Sequence, residues 1–224
     1  MKKYTINIIK KNKNVFLILL LSDLFIIGLH LLFGKNQTFF NLDHERNLPT
    51  VYQSAKLIFL AFYFLINIKE QKFPKKIIGF ILPISIFFLV LGFDELLEIH
   101  ENIYRIFEFL AFFRPETVVD ASQKLGYHSS LWIIYYLPAI LIYFFWSGYW
   151  FHYFQAKFKS VALIIAISSI LLPIILITEI LSSSGLYSSD LYFKLITIEE
   201  IAEILFATIL IGGVLEILNS KNKK

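Results

Sequence analysis

The chain has 224 residues, 57% hydrophobic and 17% aromatic, with a formal net charge of +4 and no cysteine. Disulfides, thiolate metal sites and thiol catalysis are therefore excluded. The apolar residues fall in blocks of about twenty, the length that crosses a ~30 Å hydrocarbon core, and they leave no room for a separate soluble domain.

The first apolar block, 15–33, follows a basic N-terminus. It is too long for a signal-peptide core and lacks a small-x-small cleavage site, so it reads as the first span. The second and third blocks are 51–68 and 77–97, the latter with Pro83, a residue that membrane helices tolerate as a kink. A longer segment, 102–130, opens with the amphipathic run IYRIFEFLAFF, which is expected to lie along the interface. The fourth block, 131–150, is crowded with aromatics and reads as lipid-facing bulk with belts of Trp and Tyr. The fifth, 161–181, contains Pro173, and the sixth is 197–218. The expectation is one all-α, polytopic membrane bundle of six helices over residues 1–224.

Lys and Arg fix an orientation. Fourteen fall on the side of the two termini, six on the other, and Lys56 within a span, so both termini are expected to be cytoplasmic. The acids sort oppositely. Only Glu70 and Glu216 lie on the lysine-rich side and Asp23 within the first span, which leaves 14 of the 17 at or near the outer side.

These acids converge in depth. The stretch FDELLEIHE ends the third span with Asp94, Glu95, Glu98, His100 and Glu101. Glu45 precedes the second span, Glu179 ends the fifth, and Glu199, Glu200 and Glu203 open the sixth. On a continuing helix, Asp94, Glu98 and Glu101 share a face, flanked by Glu95 and His100. Glu203 shares a stripe with Glu199 and Glu200. Carboxylates at this depth are costly unless they face water, hold protons or surround a cation. With a histidine they form a hard ligand set suited to Mg, Mn, Ca or Fe(II), and less often Zn.

Plainer roles stand beside this one. Thr197 to Glu200 has the form of a capping box. Glu95 and Glu98 suit solvated interface residues, and Glu179 an exposed helix end. Asp23 and His30, seven apart, suit a structural pair. Lys56 either counters the acids or snorkels outward, and Glu216 suits pairing with the basic ends. The Glu-x-x-His pairs of di-metal bundles are absent. So are a phosphate loop, a His-x-x-x-His pair and a nucleophile elbow, and the basic patches read as membrane anchors, not nucleic-acid sites.

The motif LGFDELLEIHE resembles the "LSLDE…HE" signature of a family of uncharacterised bacterial multipass membrane proteins. The segment from Glu45 to Thr50, Glu179, and Thr197 to Glu203 fit the same family pattern, over about residues 40–218. The resemblance implies a multipass fold and points to Glu45, Asp94, Glu95, His100, Glu101, Glu179, Glu199, Glu200 and Glu203, with no assigned activity. Gly92 departs from it, because a serine is expected there, and its hydroxyl would have supported Asp94.

The leading expectation is a bacterial inner-membrane protein with a divalent cation (Mn, Fe, Mg, Ca or Zn) at its outer boundary. Its ligands would come from Asp94, His100, Glu101, Glu179, Glu199, Glu200 and Glu203. Glu45 and Glu95 would serve as general base or in support of the ligands, in metal-assisted chemistry on a lipid or polyprenyl headgroup. Proton- or cation-coupled transport and a structural role with an acidic docking surface are the alternatives.

Overall fold

The computed structural model describes residues 2–71, 73–100, 103, 132–183 and 188–221. All regular structure among them is helical. The long helices are α1 (Lys2–Leu29), α2 (Leu48–Gln71), α3 (Lys75–Leu97), α4 (Trp132–Gln155), α5 (Lys159–Ser182) and α6 (Ser189–Lys221). A π-helical turn, His30–Gly34, extends α1, and a short 3₁₀ turn, Thr38–Phe40, follows it. Among the described residues, five helices are long and apolar enough to cross a membrane. The remaining one, α4, has 24 residues, a sufficient length for a span. The amphipathic segment expected within 102–130, and Glu101, lie outside the described residues.

The bundle is organised around α6, two-thirds of whose apolar window is buried. It packs against α5, α1 and α2, while α3 lies on α2 and α4 on α5. Two glycines let α6 approach its neighbours. A Cβ on Gly212 would meet the Phe16 ring at 2.8 Å, and one on Gly213 would meet Ile164 at 3.0 Å. Where α3 crosses α2, Gly92 is needed for the same reason. A Cβ there would stand 2.7 Å from Ile58 and 3.2 Å from the Ser54 carbonyl oxygen. Ser54 Oγ donates to the Gly92 carbonyl at 2.7 Å and seals the crossing.

The aromatic run of α4 does more than face lipid. Tyr143, Trp150 and Phe154 are buried, with Phe80 of α3 stacked on Trp146 at 5.2 Å and edge-on to Phe154 at 4.8 Å. This layer ties α3 to α4 near the lysine-rich end of the bundle. Leucine, isoleucine and phenylalanine side chains of α1, among them Leu17, Ile18, Leu21 and Phe25, remain exposed, an apolar belt suited to contact with lipid.

Two expectations about intramembrane polar groups change. Asp23 does not pair with His30. It accepts from Lys56 Nζ at 2.9 Å, from Tyr52 Oη at 2.6 Å and from Thr208 Oγ1. Lys56 neither snorkels nor reaches the acids by contact, since the pair is shut from solvent (1% and 0% exposed) and Lys56 also bonds Thr208. His30, also buried, bonds Thr197 Oγ1 through Nε2 at 2.9 Å and accepts the Leu42 amide on Nδ1 at 3.1 Å. Glu216 accepts from Ser160 Oγ.

Candidate functional site

Five helices each turn one stripe toward a common space, α2 with Gln53 and Leu57. On α6 the stripe is Ile196, Glu199, Glu200, Glu203, Phe206 and Ala207, and on α5 it is Leu172, Ile175, Leu176, Glu179 and Ser182. On α4 it is Tyr136, Ala139, Ile140 and Tyr143, and on α3 Phe87, Leu91, Asp94 and Glu95. These spacings of three, four and seven are those of one helix face. In each acid-bearing stripe, Ile196 of α6 excepted, the apolar members lie toward the bundle centre and the acids toward the end. The result is a cavity of about 390 Å³ with an apolar floor and an acidic upper wall.

The loop before α2 closes the acidic end with Asp43 and Glu45. Its shape follows from local chemistry. Asn47 caps α2 by accepting the Thr50 amide on Oδ1 at 3.2 Å, and its Nδ2 donates to the Thr38 carbonyl at 2.9 Å. Pro49 fits the first turn, where a missing N–H costs nothing. The Asp43 amide donates to Asn41 Oδ1 at 3.2 Å, a side-chain turn that aims the chain back over the bundle. Thr50 Oγ1 donates to Glu45 at 3.4 Å.

The end of α3 departs from the helical extrapolation. Glu98 adopts the left-handed conformation (φ 53°) and stops the helix after Leu97. Its side chain therefore leaves the Asp94 face and binds Arg46 through both oxygens. The same turn folds His100 back, so that Nδ1 lies 3.3 Å from Asp94 Oδ2. Burial opposes charge on this imidazole. The hydrogen bond and charge of Asp94, with Glu203 and Glu45 nearby, outweigh it and raise the pKa to about 9. His100 is thus a local counter-charge to three acids. The hydroxyl expected from a serine at position 92 has a substitute: Tyr136 of α4 donates to Asp94 Oδ1 at 2.9 Å.

The capping-box reading of Thr197 is overturned. α6 begins at Ser189, two turns earlier, and Thr197 donates to the Phe193 carbonyl within it. Glu199 and Glu200 are therefore mid-helix residues facing the cavity. Glu199 receives Ser182 Oγ at 3.4 Å.

Of the residues singled out from sequence, Glu45, Asp94, Glu95, His100, Glu179, Glu199, Glu200 and Glu203 all line this one cavity. Asp43, Tyr136 and Gln53 join them without having been foreseen. Among the described residues, no group of three or more Asp, Glu or His side chains is placed to hold a metal ion. Eight carboxyl groups around one space can be charged together only with water or a cation between them, and otherwise some hold protons, since each like-charged neighbour at ~5 Å costs about 3 kcal/mol at an effective dielectric of ~20. No protein-family model matches the chain, and neither the curated proteins nor the solved structures include a match to it.

Proposed function

We propose that this multipass membrane protein binds a lipid-like ligand in the acidic-topped cavity with the help of a divalent cation, and that headgroup chemistry is carried out there. The observation that carries this is the grading of the cavity. Its floor is apolar and its upper wall holds eight carboxylates at the end of the spans, the depth at which headgroups meet hydrocarbon. An anionic headgroup would be repelled by those walls unless a cation stood between them. Mg²⁺ or Mn²⁺ would serve there through one or two carboxylates, with further oxygens from water and phosphate. Glu45 at the loop and Glu95 on α3 would hold or accept a proton at the headgroup. The positive-inside count favours a cytoplasmic lysine-rich end, and the cavity would then lie at the outer boundary of the membrane.

Lipid analysis tests this reading. Protein purified in mild detergent should carry a phosphorylated lipid above the level in bulk membrane. EDTA should release it, and Ala139→Trp, which fills the floor, should exclude it. Equal lipid content in wild type and Ala139→Trp would overturn the reading.

Transport of protons or cations is the second reading. It is favoured by α2, which carries Gln53, Lys56, Tyr63, Asn67 and Gln71 within an arc of about 80° along its length. Flux through proteoliposomes that Asp23→Asn abolishes would establish it in place of the first.

A further inference from the structure

At the opposite, lysine-rich end of the bundle, one tyrosine ring gathers two lysines. Tyr153 lies near the end of α4, edge-on to Trp150 at 5.3 Å and tilted against Phe154 at 5.0 Å. Both of these partners are buried against Phe80 of α3, so the ring is held in place. Lys76, in the first turn of α3, puts Nζ 4.3 Å from the Tyr153 ring centroid and 6.0 Å from that of Tyr149. Lys157, in the turn between α4 and α5, puts Nζ 4.8 Å from the same Tyr153 centroid and 3.5 Å from its hydroxyl. A ring face attracts a cation, but two like charges drawn to one ring repel each other.

The helix ends deepen the imbalance. α3 and α5 both start at this end, each with no acid in its first turn and no hydrogen bond from the side chain of its N-cap residue. A helix N-terminus favours negative charge, and here lysines stand in its place. Lys76 and Lys157 form no ion pair among the described residues. Of the two acids at this end, Glu70 and Glu216, the second accepts from Ser160 Oγ. What the arrangement lacks is an anion. Beside it α4 continues into the span as an exposed apolar strip, with Tyr149 and Phe145, 55% and 79% exposed, at intervals of four on the face of Tyr153.

We infer that this is a binding site for an anionic phospholipid, its phosphate taken by Lys76 and Lys157 and an acyl chain laid along Tyr149 and Phe145. Lysines at a membrane surface attract anionic headgroups, and the apolar strip selects a lipid over a free phosphate ion. The site is independent of the acidic cavity, which lies at the other end of the spans and would need a cation to accept a phosphate.

Native mass spectrometry of the detergent-purified full chain, titrated with phosphatidylglycerol or phosphatidylcholine, tests the assignment. Wild type should bind phosphatidylglycerol more tightly than phosphatidylcholine by roughly fivefold or more. Lys76→Gln and Lys157→Gln should each weaken phosphatidylglycerol binding roughly fivefold, and together roughly twentyfold. Lys76→Arg keeps the charge and should bind as wild type does. Lys69→Gln removes a charge from the same end but not from the ring, and should shift affinity less than about twofold. The assignment fails if the two lipids bind alike, if Lys69→Gln is as damaging as Lys76→Gln, or if equimolar inorganic phosphate displaces the lipid, the mark of a soluble-anion site. Should the double variant not fold, the single variants decide. Ala139→Trp and EDTA, which disable the cavity, should leave this binding unchanged. Binding lost in Ala139→Trp but kept in both lysine variants would place the lipid in the cavity and overturn this assignment alone.

Discussion

Removing Lys56 alone should damage the protein more than removing Lys56 and Asp23 together. Lys56→Met deletes the cation that Asp23 meets at 2.9 Å in a site closed to solvent. Stripping one partner from a buried pair costs about 3–5 kcal/mol, because a charge is left without compensation. The structure argues for the lower end of that range. Tyr52 at 2.6 Å and Thr208 still donate to Asp23, and they can support the carboxylate or its protonated form. The double variant Asp23→Leu/Lys56→Met removes both charges and leaves two hydroxyls to settle. Tyr52 Oη already lies 3.4 Å from the Leu19 carbonyl, and Thr208 can turn to the carbonyl four residues back in α6. Replacing a whole buried pair by apolar groups is commonly neutral or better, so the double variant should lie within about 1 kcal/mol of wild type.

Unfolding in mixed micelles of rising denaturing-detergent fraction, followed by far-ultraviolet circular dichroism, measures both variants on one scale. A Lys56→Met protein as stable as wild type would show that the pair is not ionised or not closed. A double variant as unstable as the single one would show that packing around the two side chains, not charge, explains the loss.

Two further predictions use the same assay. Gly92→Ala drives a methyl against Ile58 at 2.7 Å and should cost about 1–3 kcal/mol, a loss that Ile58→Ala in the same chain partly restores; additive losses would place the strain elsewhere. The His100–Asp94 contact should give a stability term that fades in alkali. The folded pKa of His100 is raised, so its contribution is full below the unfolded value near 6.5 and is lost as pH rises through about 9. Wild type should lose stability between pH 7 and 10 relative to His100→Gln, and parallel curves for the two proteins would refute the contact.

Much of the site is legible in the sequence because depth and helical spacing are local properties. Alternating spans put Asp94, Glu179 and Glu203 at one end of the bundle, and intervals of three and four put Glu199, Glu200 and Glu203 on one face. What fails is extrapolation across an unrecognised boundary. Glu98 is on the Asp94 face only if the helix continues, and a left-handed residue stops it. Thr197 caps a helix only if one begins there, but α6 starts at Ser189, because polar Asp190 and Lys194 at an interface do not interrupt a helix. Pairings between distant helices are not legible in principle. The contacts of Lys56 with Asp23 and of Tyr136 with Asp94 span 33 and 42 residues. Gln53 left one weak signal, an uncharged amide one turn from Lys56 on the same face of the helix.

His30 shows how a residue outside the cavity can determine its shape. Because Nδ1 accepts the Leu42 amide, the proton belongs on Nε2, which donates to Thr197 Oγ1; the imidazole is neutral by the demand of its partners. Thr197 passes its own proton to the Phe193 carbonyl, so every link in the chain is satisfied. The π-helical turn makes room for this. Gly34 lies so close that a Cβ there would stand 2.5 Å from Nδ1, which only glycine avoids. One ring thereby joins three pieces: the end of α1, the loop that carries Asp43 and Glu45, and the turn of α6 that carries Glu199 and Glu200. Leu42, held by that ring, also lines the cavity. A neutral histidine, positioned by a glycine four residues on, therefore sets the distance between the acids of the loop and the acids of the helix, and it does so without adding charge to the cavity they line.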